Sequence, residues 1–292
     1  VTNVEYTTDG LAVGITYMDA TQGWVPTFDD AVADVPTKGN SEGIFAYGYS
    51  GSIVSMSNLI STVGVVGSDV TGVGTARYDL AACEFGGDKG IFAYGSAGAM
   101  SNLVSNSGVI ATDVSGVGTA RESPAACSYG GDKGIFGYGA GPVSMTNLVN
   151  NSGVVGSDVT GVGTARRLLG ACEYDDDKAI FAYGDTGSVS SLSNLVSNAG
   201  VVATDVTGVG TARKQLAACT YGYDKGIFAY GSTGSNVSMS NLVSTSGVIA
   251  SDVTGVGSAR HELAATQYGG DKAIFGYGYT SGRVSLSNLV SN

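Results

Sequence analysis

A phrase of six residues, Gly-Ile-Phe-Ala-Tyr-Gly at positions 43–48, occurs with small changes six times along this chain. Its isoleucine lies at positions 44, 91, 135, 180, 227 and 274. A period of about 45 residues is too long for leucine-rich or ankyrin repeats and is typical of one four-stranded propeller blade. The repeat therefore predicts an all-β chain folded as a six-bladed β-propeller with four-stranded blades.

The composition is that of a folded chain with many short strands and tight turns. Among its 292 residues there are 47 glycines and only four prolines, while 43% of the residues are hydrophobic. That hydrophobic content is enough to form a core. We expect residues 39–292 to form one domain of six repeats, and residues 1–38 to form an N-terminal arm with a ring-closing strand.

The charge and hydropathy pattern exclude two classes of partner. A net charge of −11 would repel phosphate backbones, so we expect no nucleic-acid partner. No stretch approaches the roughly 20 apolar residues that span a bilayer, so we expect no membrane insertion. The chain begins at Val1 without a leader, which suggests a processed product or one region of a longer polypeptide.

The cysteines occupy one position of successive repeats, where the last repeat has Thr266: Cys83, Cys127, Cys172 and Cys219. Equivalent positions in neighbouring blades would lie too far apart for the roughly 5.5 Å between Cα atoms that a disulfide requires. We expect these cysteines to be small buried side chains. Because the sequence has no Cys-x-x-Cys pair or histidine partner, it predicts no metal site and no cofactor.

One repeat, between residues 76 and 113, shows the expected strands. Small apolar residues at 80–83 suit the crowded innermost strand. Residues 89–95 follow a Gly-Gly-Asp turn as the second strand, whose large residues on both faces fit a blade covered by its neighbours. Residues 100–104 form the third strand, and residues 108–111 form the short outer strand.

The connection between the second and third strands varies in length and sequence between repeats. It spans residues 49–53, 96–99, 140–143, 185–188, 232–236 and 279–283. All the variation falls in one connection, which places it on one face of the disc. Variable loops on a constant framework are where we expect a ligand, although their small residues also fit plain turns. The candidate ligand-binding residues are Tyr49, Ser50, Ser96, Asp185, Thr186, Ser232, Asn236, Tyr279 and Arg283.

Two charged positions and one asparagine recur in every complete repeat. The charged positions are Asp69, Asp113, Asp158, Asp205 and Asp252, and Arg77, Arg121, Arg166, Arg213 and Arg260. The asparagines are Asn58, Asn102, Asn147, Asn194, Asn241 and Asn288. A ring of charges that captures a ligand is one interpretation, and an aspartate-capped turn with an arginine bracing adjacent blades is the other. Recurrence favours the structural interpretation, because a binding site usually breaks the symmetry of a repeat fold.

With this alignment the repeat resembles the kelch type, on the residues Arg77, Gly86, Gly87, Ile91, Gly95 and Asn102. The likeness covers approximately residues 33–292. The sequence departs from the kelch pattern in two ways: Tyr94-Gly95 replaces a double glycine, and the outer strand lacks a tryptophan. The resemblance implies a propeller architecture.

A second resemblance is to repeats in structural proteins of tailed phages of aquatic bacteria, cyanophages above all. It rests on the sequences of residues 132–139 and 194–198. It also rests on residues 14–24, which look like the connecting segment that precedes such repeats. What the resemblance implies is a virion surface component, such as a fibre, adhesin or decoration. The implied partners are other virion proteins and a host cell-surface glycan, with a homo-oligomer as the state that fibres commonly adopt.

The last repeat stops after its third strand, at residues 289–292. Since toroids close by borrowing a strand from the other terminus, we expect residues 11–17 or 23–27 to supply the missing outer strand. A gapless alignment puts residues 33–37 on the inner strand of the first blade, and leaves residues 1–10 as an arm.

The sequence offers no catalytic set that we could identify. Copper oxidases on this architecture need two histidines, and the chain has only His261, which we expect to be a solvated surface residue. Trp24, the one tryptophan, lies outside the repeats, so the repeated tryptophan turns of sialidases are lacking. We therefore expect a non-enzymatic virion component that recognises a host glycan. The alternative is a purely structural module that packs against other virion proteins.

Overall fold

The computed structural model describes the strand pairing of residues 11–19 and 23–31, and the full structure of residues 41–292. The chain divides into two compact parts, Val1–Gly39 and Asn40–Asn292. Across the ranges described, no helix is long and apolar enough to cross a membrane.

The N-terminal part contains an antiparallel hairpin of β1 (Leu11–Asp19) and β2 (Gly23–Ala31). The expected closing strands fall within β1 and β2, and these strands pair with each other in a sheet of two. The expected closure of the ring by one of them stays a prediction. The predicted inner strand at 33–37 and the arm at 1–10 lie outside the described residues.

The second part is all-β, with no helix between residues 41 and 292. We call its six repeats units 1 to 6. Unit 1 has β3 (Gly43–Tyr49) and β4 (Ile53–Ile60); unit 2 has β5 (Ala81–Phe85), β6 (Lys89–Ala93) and β7 (Ser101–Val104); unit 3 has β8 (Ala125–Tyr129), β9 (Lys133–Gly139) and β10 (Val143–Val149); unit 4 has β11 (Gly170–Tyr174), β12 (Lys178–Ala182) and β13 (Ser193–Val196); unit 5 has β14 (Ala217–Tyr221), β15 (Lys225–Ala229) and β16 (Ser240–Val243); unit 6 has β17 (Ala264–Tyr268), β18 (Lys272–Gly276) and β19 (Ser287–Val290).

Each unit is a separate antiparallel sheet whose strands lie in chain order. Units 2 to 6 have three strands each, and unit 1 has two among the described residues. Tight turns join the first and second strands; in unit 2, Gly86 and Gly87 take φ angles of 63° and 76°, which glycine adopts without strain. The prediction of an all-β fold of repeated sheets is confirmed, and the arrangement is propeller-like.

The outer segment of units 1 to 5 pairs less regularly than the fourth strand that we expected. In unit 2, the chain after β7 returns along it through two isolated bridges, Val104↔Ile110 and Ser101↔Val114, and forms no continuous strand. The same two bridges occur in units 1, 3, 4 and 5. Such a short pairing suits an exposed edge, because it offers few free backbone groups to another chain.

The core lies between neighbouring units. In unit 3, Ile135 and Phe136 point to opposite faces of the sheet and both are fully buried, as expected for a sheet covered on both sides. Cys127, Cys172 and Cys219 are free and buried, and Cys83 is half-buried. Burial raises the pKa of these thiols well above its usual range, which keeps them in the neutral form.

Candidate binding surface

The framework beneath the variable loops is a stack of tyrosine and arginine between units. Tyr94 directly follows the second strand of unit 2, has a left-handed φ of 67° and is fully buried. Its ring meets Phe136 of unit 3 edge-on, with 5.3 Å between the ring centroids. The guanidinium of Arg121 lies 4.2 Å above the same ring. The tyrosine that departs from the kelch pattern is therefore the surface on which the recurring arginine packs.

The arginine also joins the linker to its own unit. Arg121 donates to the carbonyl oxygens of Tyr138 at 2.7 Å and Thr119 at 3.1 Å, and to Oδ1 of Asn147 at 2.8 Å. The same stack occurs with Arg77, Arg166, Arg213 and Arg260, each of which is fully buried. These contacts and the burial of each side chain leave no part of the guanidinium open to a ligand.

Four of the recurring aspartates, Asp113, Asp158, Asp205 and Asp252, bind a linker instead of capping their own turn. Asp113 accepts hydrogen bonds from the backbone N–H of Thr75 at 3.0 Å and from its hydroxyl at 2.6 Å, 38 residues away in sequence. Asn102 adds a third bond at 2.9 Å. The hydrogen bond from Thr75 is the main reason that the pKa of Asp113 lies below its usual range. We call this arrangement of aspartate, asparagine and Thr-Ala-Arg the linker clamp.

A second variable segment follows each arginine and continues the surface. Its second residue has a left-handed φ near 54° in all five linkers: Asp79, Ser123, Leu168, Gln215 and Glu262. Their backbones form a chain of hydrogen bonds, in which the N–H of each donates to the carbonyl oxygen of the one before it, at distances from 2.8 to 3.3 Å. Five different side chains thus stand on backbones that are linked to one another by hydrogen bonds.

This segment meets the predicted loops through antiparallel bridges, Arg167↔Asp185, Lys214↔Ser232 and His261↔Tyr279. A side-chain bond adds to them between units 4 and 5, where Nζ of Lys214 lies 2.6 Å from Oδ2 of the buried Asp185. That bond lowers the pKa of Asp185. The two variable segments therefore form one surface, which we call the variable face: residues 49–53, 78–79, 96–99, 122–123, 140–143, 167–168, 185–188, 214–215, 232–236, 261–262 and 279–283.

His261 is held on the variable face and is not the solvated residue that we expected. Its ring packs on Tyr279 with 5.4 Å between ring centroids, and its side chain is 19% exposed. Nδ1 lies 2.7 Å from Oδ1 of Asn236, whose own amide donates to the carbonyl oxygens of Tyr279 and Thr280. Since that Oδ1 has to accept, the Nδ1 of His261 carries the proton.

An aromatic cluster lies where units 6, 1 and 2 meet on the variable face. The guanidinium of Arg283 is 4.1 Å from the ring centroid of Tyr49, and its Nε donates to the Tyr49 carbonyl oxygen at 2.9 Å. Tyr49 also meets Tyr78, with 6.2 Å between their ring centroids. The side chain of Tyr49 is still accessible to solvent, because this residue is 48% exposed.

The other predicted residues shape the loops. Ser96 accepts a bond from the backbone N–H of Tyr78 through its hydroxyl, and Ser232 accepts one from the N–H of Gly234. Thr186 bonds the carbonyl oxygen of Ser188, and the N–H of Ser50 bonds that of Ser52. These contacts are those of turns, so the loop candidates divide into Tyr49, whose ring is open to a ligand, and residues whose side chains hold the loops in place.

Sequence reasoning missed one of the two kinds of segment that form the variable face. Tyr78, Lys214, His261 and the residues after them belong to it, although they stand next to the recurring arginine. The signal was available, since this pair of residues differs in every linker while its surroundings are constant.

No protein-family model matches this chain. The search of curated proteins gave no match either.

Proposed function

We propose that the six units form a closed, kelch-like propeller of six blades, in which the bridged outer segment completes units 1 to 5. The support is that unit 6 meets unit 1 through the contacts that join other neighbours. The N–H of Gly269 donates to the carbonyl oxygen of Ser41 at 2.7 Å, as that of Gly86 does to Asp132. Phe45 meets Tyr277 edge-on at 5.4 Å between centroids, as Phe136 meets Tyr94.

We further propose that this propeller is a non-enzymatic virion surface component, which uses its variable face to recognise a host cell-surface glycan. One observation carries the proposal: two segments that vary between repeats are hydrogen-bonded into one surface, on a framework whose charged groups are already occupied. Sequence variation confined to such a surface is typical of recognition, because the framework tolerates changes there without loss of stability.

The groups on that surface suit a sugar. Tyr49 offers a partly exposed ring beside a guanidinium, an arrangement on which the apolar face of a pyranose can stack. The amide of Gln215 bonds the carboxylate of Glu262 at 2.7 Å, and both side chains reach solvent. Neutral and acidic hydrogen-bonding groups of this kind match sugar hydroxyls, and the acidic balance of the chain disfavours anionic polysaccharides.

The structural alternative has one observation in its favour. An exposed valine recurs next to the outer bridges: Val65, Val109, Val154, Val201 and Val248 are 60–65% exposed. A second valine recurs as Val70, Val114, Val159, Val206 and Val253, 46–51% exposed. Together they form an apolar rim that could pack against other virion proteins.

The test is a glycan array of bacterial capsule and outer-membrane polysaccharides, probed with the labelled full chain and with two matched variants. Tyr49→Ala changes the variable face, and Val248→Ser changes the rim. We expect selective binding that Tyr49→Ala weakens at least about ten-fold and Val248→Ser leaves unchanged. Binding that is lost only in Val248→Ser would favour the structural alternative.

A further inference from the structure

The single histidine of the chain is held in one orientation where units 5 and 6 meet. Nδ1 of His261 donates to Oδ1 of Asn236 at 2.7 Å, and the amide of Asn236 is itself fixed by the carbonyl oxygens of Tyr279 and Thr280. In the neutral ring, Nε2 then carries no proton and can only accept a hydrogen bond. The fixed imidazole therefore presents one acceptor on the variable face.

A carboxylate lies beside this acceptor. Oε1 of Glu262 is 3.7 Å from Nε2 of His261, which is too long for a hydrogen bond, so neither group satisfies the other. The amide of Gln215 donates to the same Oε1 at 2.7 Å and so fixes the carboxylate. The Glu262 side chain is 54% exposed, and a carboxylate has about four acceptor positions, of which Gln215 fills one. Two side chains thus place acceptors next to each other at the surface.

The charge of this neighbourhood is negative. Glu262 forms no ion pair with any lysine or arginine among residues 41–292. Lys214 is occupied by the buried Asp185, which lies 2.6 Å from its Nζ. Arg260 is fully buried and donates to three carbonyl oxygens. The neighbourhood therefore favours a ligand that brings a positive charge and hydrogen-bond donors, and it repels an anion.

The framework does not require this arrangement. The counterparts of His261 in the other linkers are Tyr78, Glu122, Arg167 and Lys214. The counterpart of Asn236 in unit 4 is Val189, which occupies the same bridged position of its loop and has no polar group to hold an imidazole. Because both residues depart from the repeat at one junction, while the buried arginine beside them recurs, their pairing is better explained by binding than by folding.

We propose that His261 and Glu262, with Gln215 fixing the carboxylate, form a subsite for the protonated amino group of an amino sugar. This inference rests on the proposed glycan recognition and names the class of sugar that the glycan contains. An ammonium group has three N–H donors and no acceptor, so it can donate to Nε2 of His261 and to the carboxylate of Glu262 together. Hydrogen bonds of this charged kind are roughly twice as strong as neutral ones.

The experiment compares two tetrasaccharides by isothermal titration calorimetry of the full chain. One consists of glucosamine, whose amines are free, and the other of N-acetylglucosamine, in which acetylation removes the positive charge. We expect saturable 1:1 binding of the glucosamine tetrasaccharide, at least about ten-fold tighter than that of the acetylated one. EDTA is present throughout, because an imidazole and a carboxylate also bind metals. Binding that requires added Zn²⁺ would overturn the proposal in favour of a metal site.

A pair of matched variants tests the position of the subsite. Glu262→Gln removes its charge, whereas Asp224→Asn removes a charge from the exposed turn at the other end of β14. We expect Glu262→Gln to weaken the glucosamine tetrasaccharide at least about ten-fold, and Asp224→Asn to leave its affinity unchanged. His261→Phe, which keeps an aromatic ring against Tyr279 but removes Nε2, should weaken it as well.

Three results would overturn the proposal: no saturable binding of the glucosamine tetrasaccharide, equal binding of the two tetrasaccharides, or equal effects of Glu262→Gln and Asp224→Asn. The last result would indicate non-specific attraction to an acidic chain. The glycan array separates this failure from failure of the proposed function. Array binding that depends on Tyr49, without a preference for free amines, would overturn the amino-sugar subsite alone.

Discussion

The guanidinium of Arg283 lies 4.1 Å from the ring centroid of Tyr49, and its Nε donates to the Tyr49 carbonyl oxygen at 2.9 Å. These residues are 234 positions apart in sequence, so the contact joins the last unit to the first. It also places an exposed aromatic ring beside a fixed positive charge on the variable face. The proposed closure and the proposed recognition therefore depend on the same residues.

A glycine at the junction of units 6 and 1 gives a test of closure. A Cβ on Gly43 would lie 2.7 Å from both the carbonyl oxygen of Gln267 and Cγ2 of Thr266. We expect Gly43→Ala to lower the free energy of unfolding by about 1–3 kcal/mol through overpacking, measured by urea denaturation.

The matched control is Gly90, the equivalent glycine of unit 2. A Cβ there would meet Val104 at an ordinary 3.5 Å, and Ala179 and Ala273 already occupy this position in units 4 and 6. Gly90→Ala should be neutral or slightly stabilising. Equal effects of the two substitutions would mean that units 6 and 1 do not pack together.

The buried arginines should be the most sensitive framework residues. Arg166 donates to Oδ1 of Asn194 at 2.6 Å and stacks 4.4 Å above the ring of Tyr138. Arg166→Met leaves these polar partners unsatisfied, and should cost about 2–4 kcal/mol of unfolding free energy. The neighbour Arg167 is exposed, and Arg167→Met should change stability by less than about 0.5 kcal/mol. A small effect at Arg166 would contradict the bracing role.

The linker clamp predicts a loss of stability in acid. Hydrogen bonds from Thr119, and then from Asn147, lower the pKa of Asp158. A lowered folded-state pKa means that the stabilisation is complete above the unfolded pKa of about 4, and is lost as the pH falls through the folded value. The gap in Tm between the protein and Asp158→Asn should therefore be widest above about pH 5 and should narrow towards pH 2.

The control for this prediction is Asp224→Asn, which changes a carboxylate on an exposed turn 3.9 Å from Lys225. It should lower Tm by the same small amount throughout that pH range. A gap for Asp158→Asn that stays constant with pH would show that the clamp does not depend on the charge of its carboxylate.

The sequence was sufficient to predict the repeated sheets, because each repeat carries the same pattern of buried and exposed positions. Isoleucine and phenylalanine of the second strand predicted sheets covered on both faces, and Phe136 and Ile135 are buried as expected. The Thr75–Asp113 bond was beyond such reasoning, since it joins residues in different linkers. A local pattern could not distinguish it from a capped turn.

The candidate site was predictable only in part. Length variation marked the loops with Tyr49 and Tyr279, but the second variable segment has constant length and so gave no such mark. The contacts of His261 depend on Asn236, 25 residues earlier, and so on how units 5 and 6 pack. The pairing of β1 with β2 was not predicted, because hydrophobic alternation identifies a strand without identifying its partner.

The most direct test of recognition is adsorption of the fluorescently labelled full chain to a panel of cyanobacterial and other aquatic bacterial cells, with and without their soluble surface polysaccharide. We expect saturable adsorption to particular strains, abolished by the polysaccharide and reduced at least about ten-fold by Tyr49→Ala. Adsorption that is absent from every strain, or that neither the polysaccharide nor Tyr49→Ala affects, would contradict it.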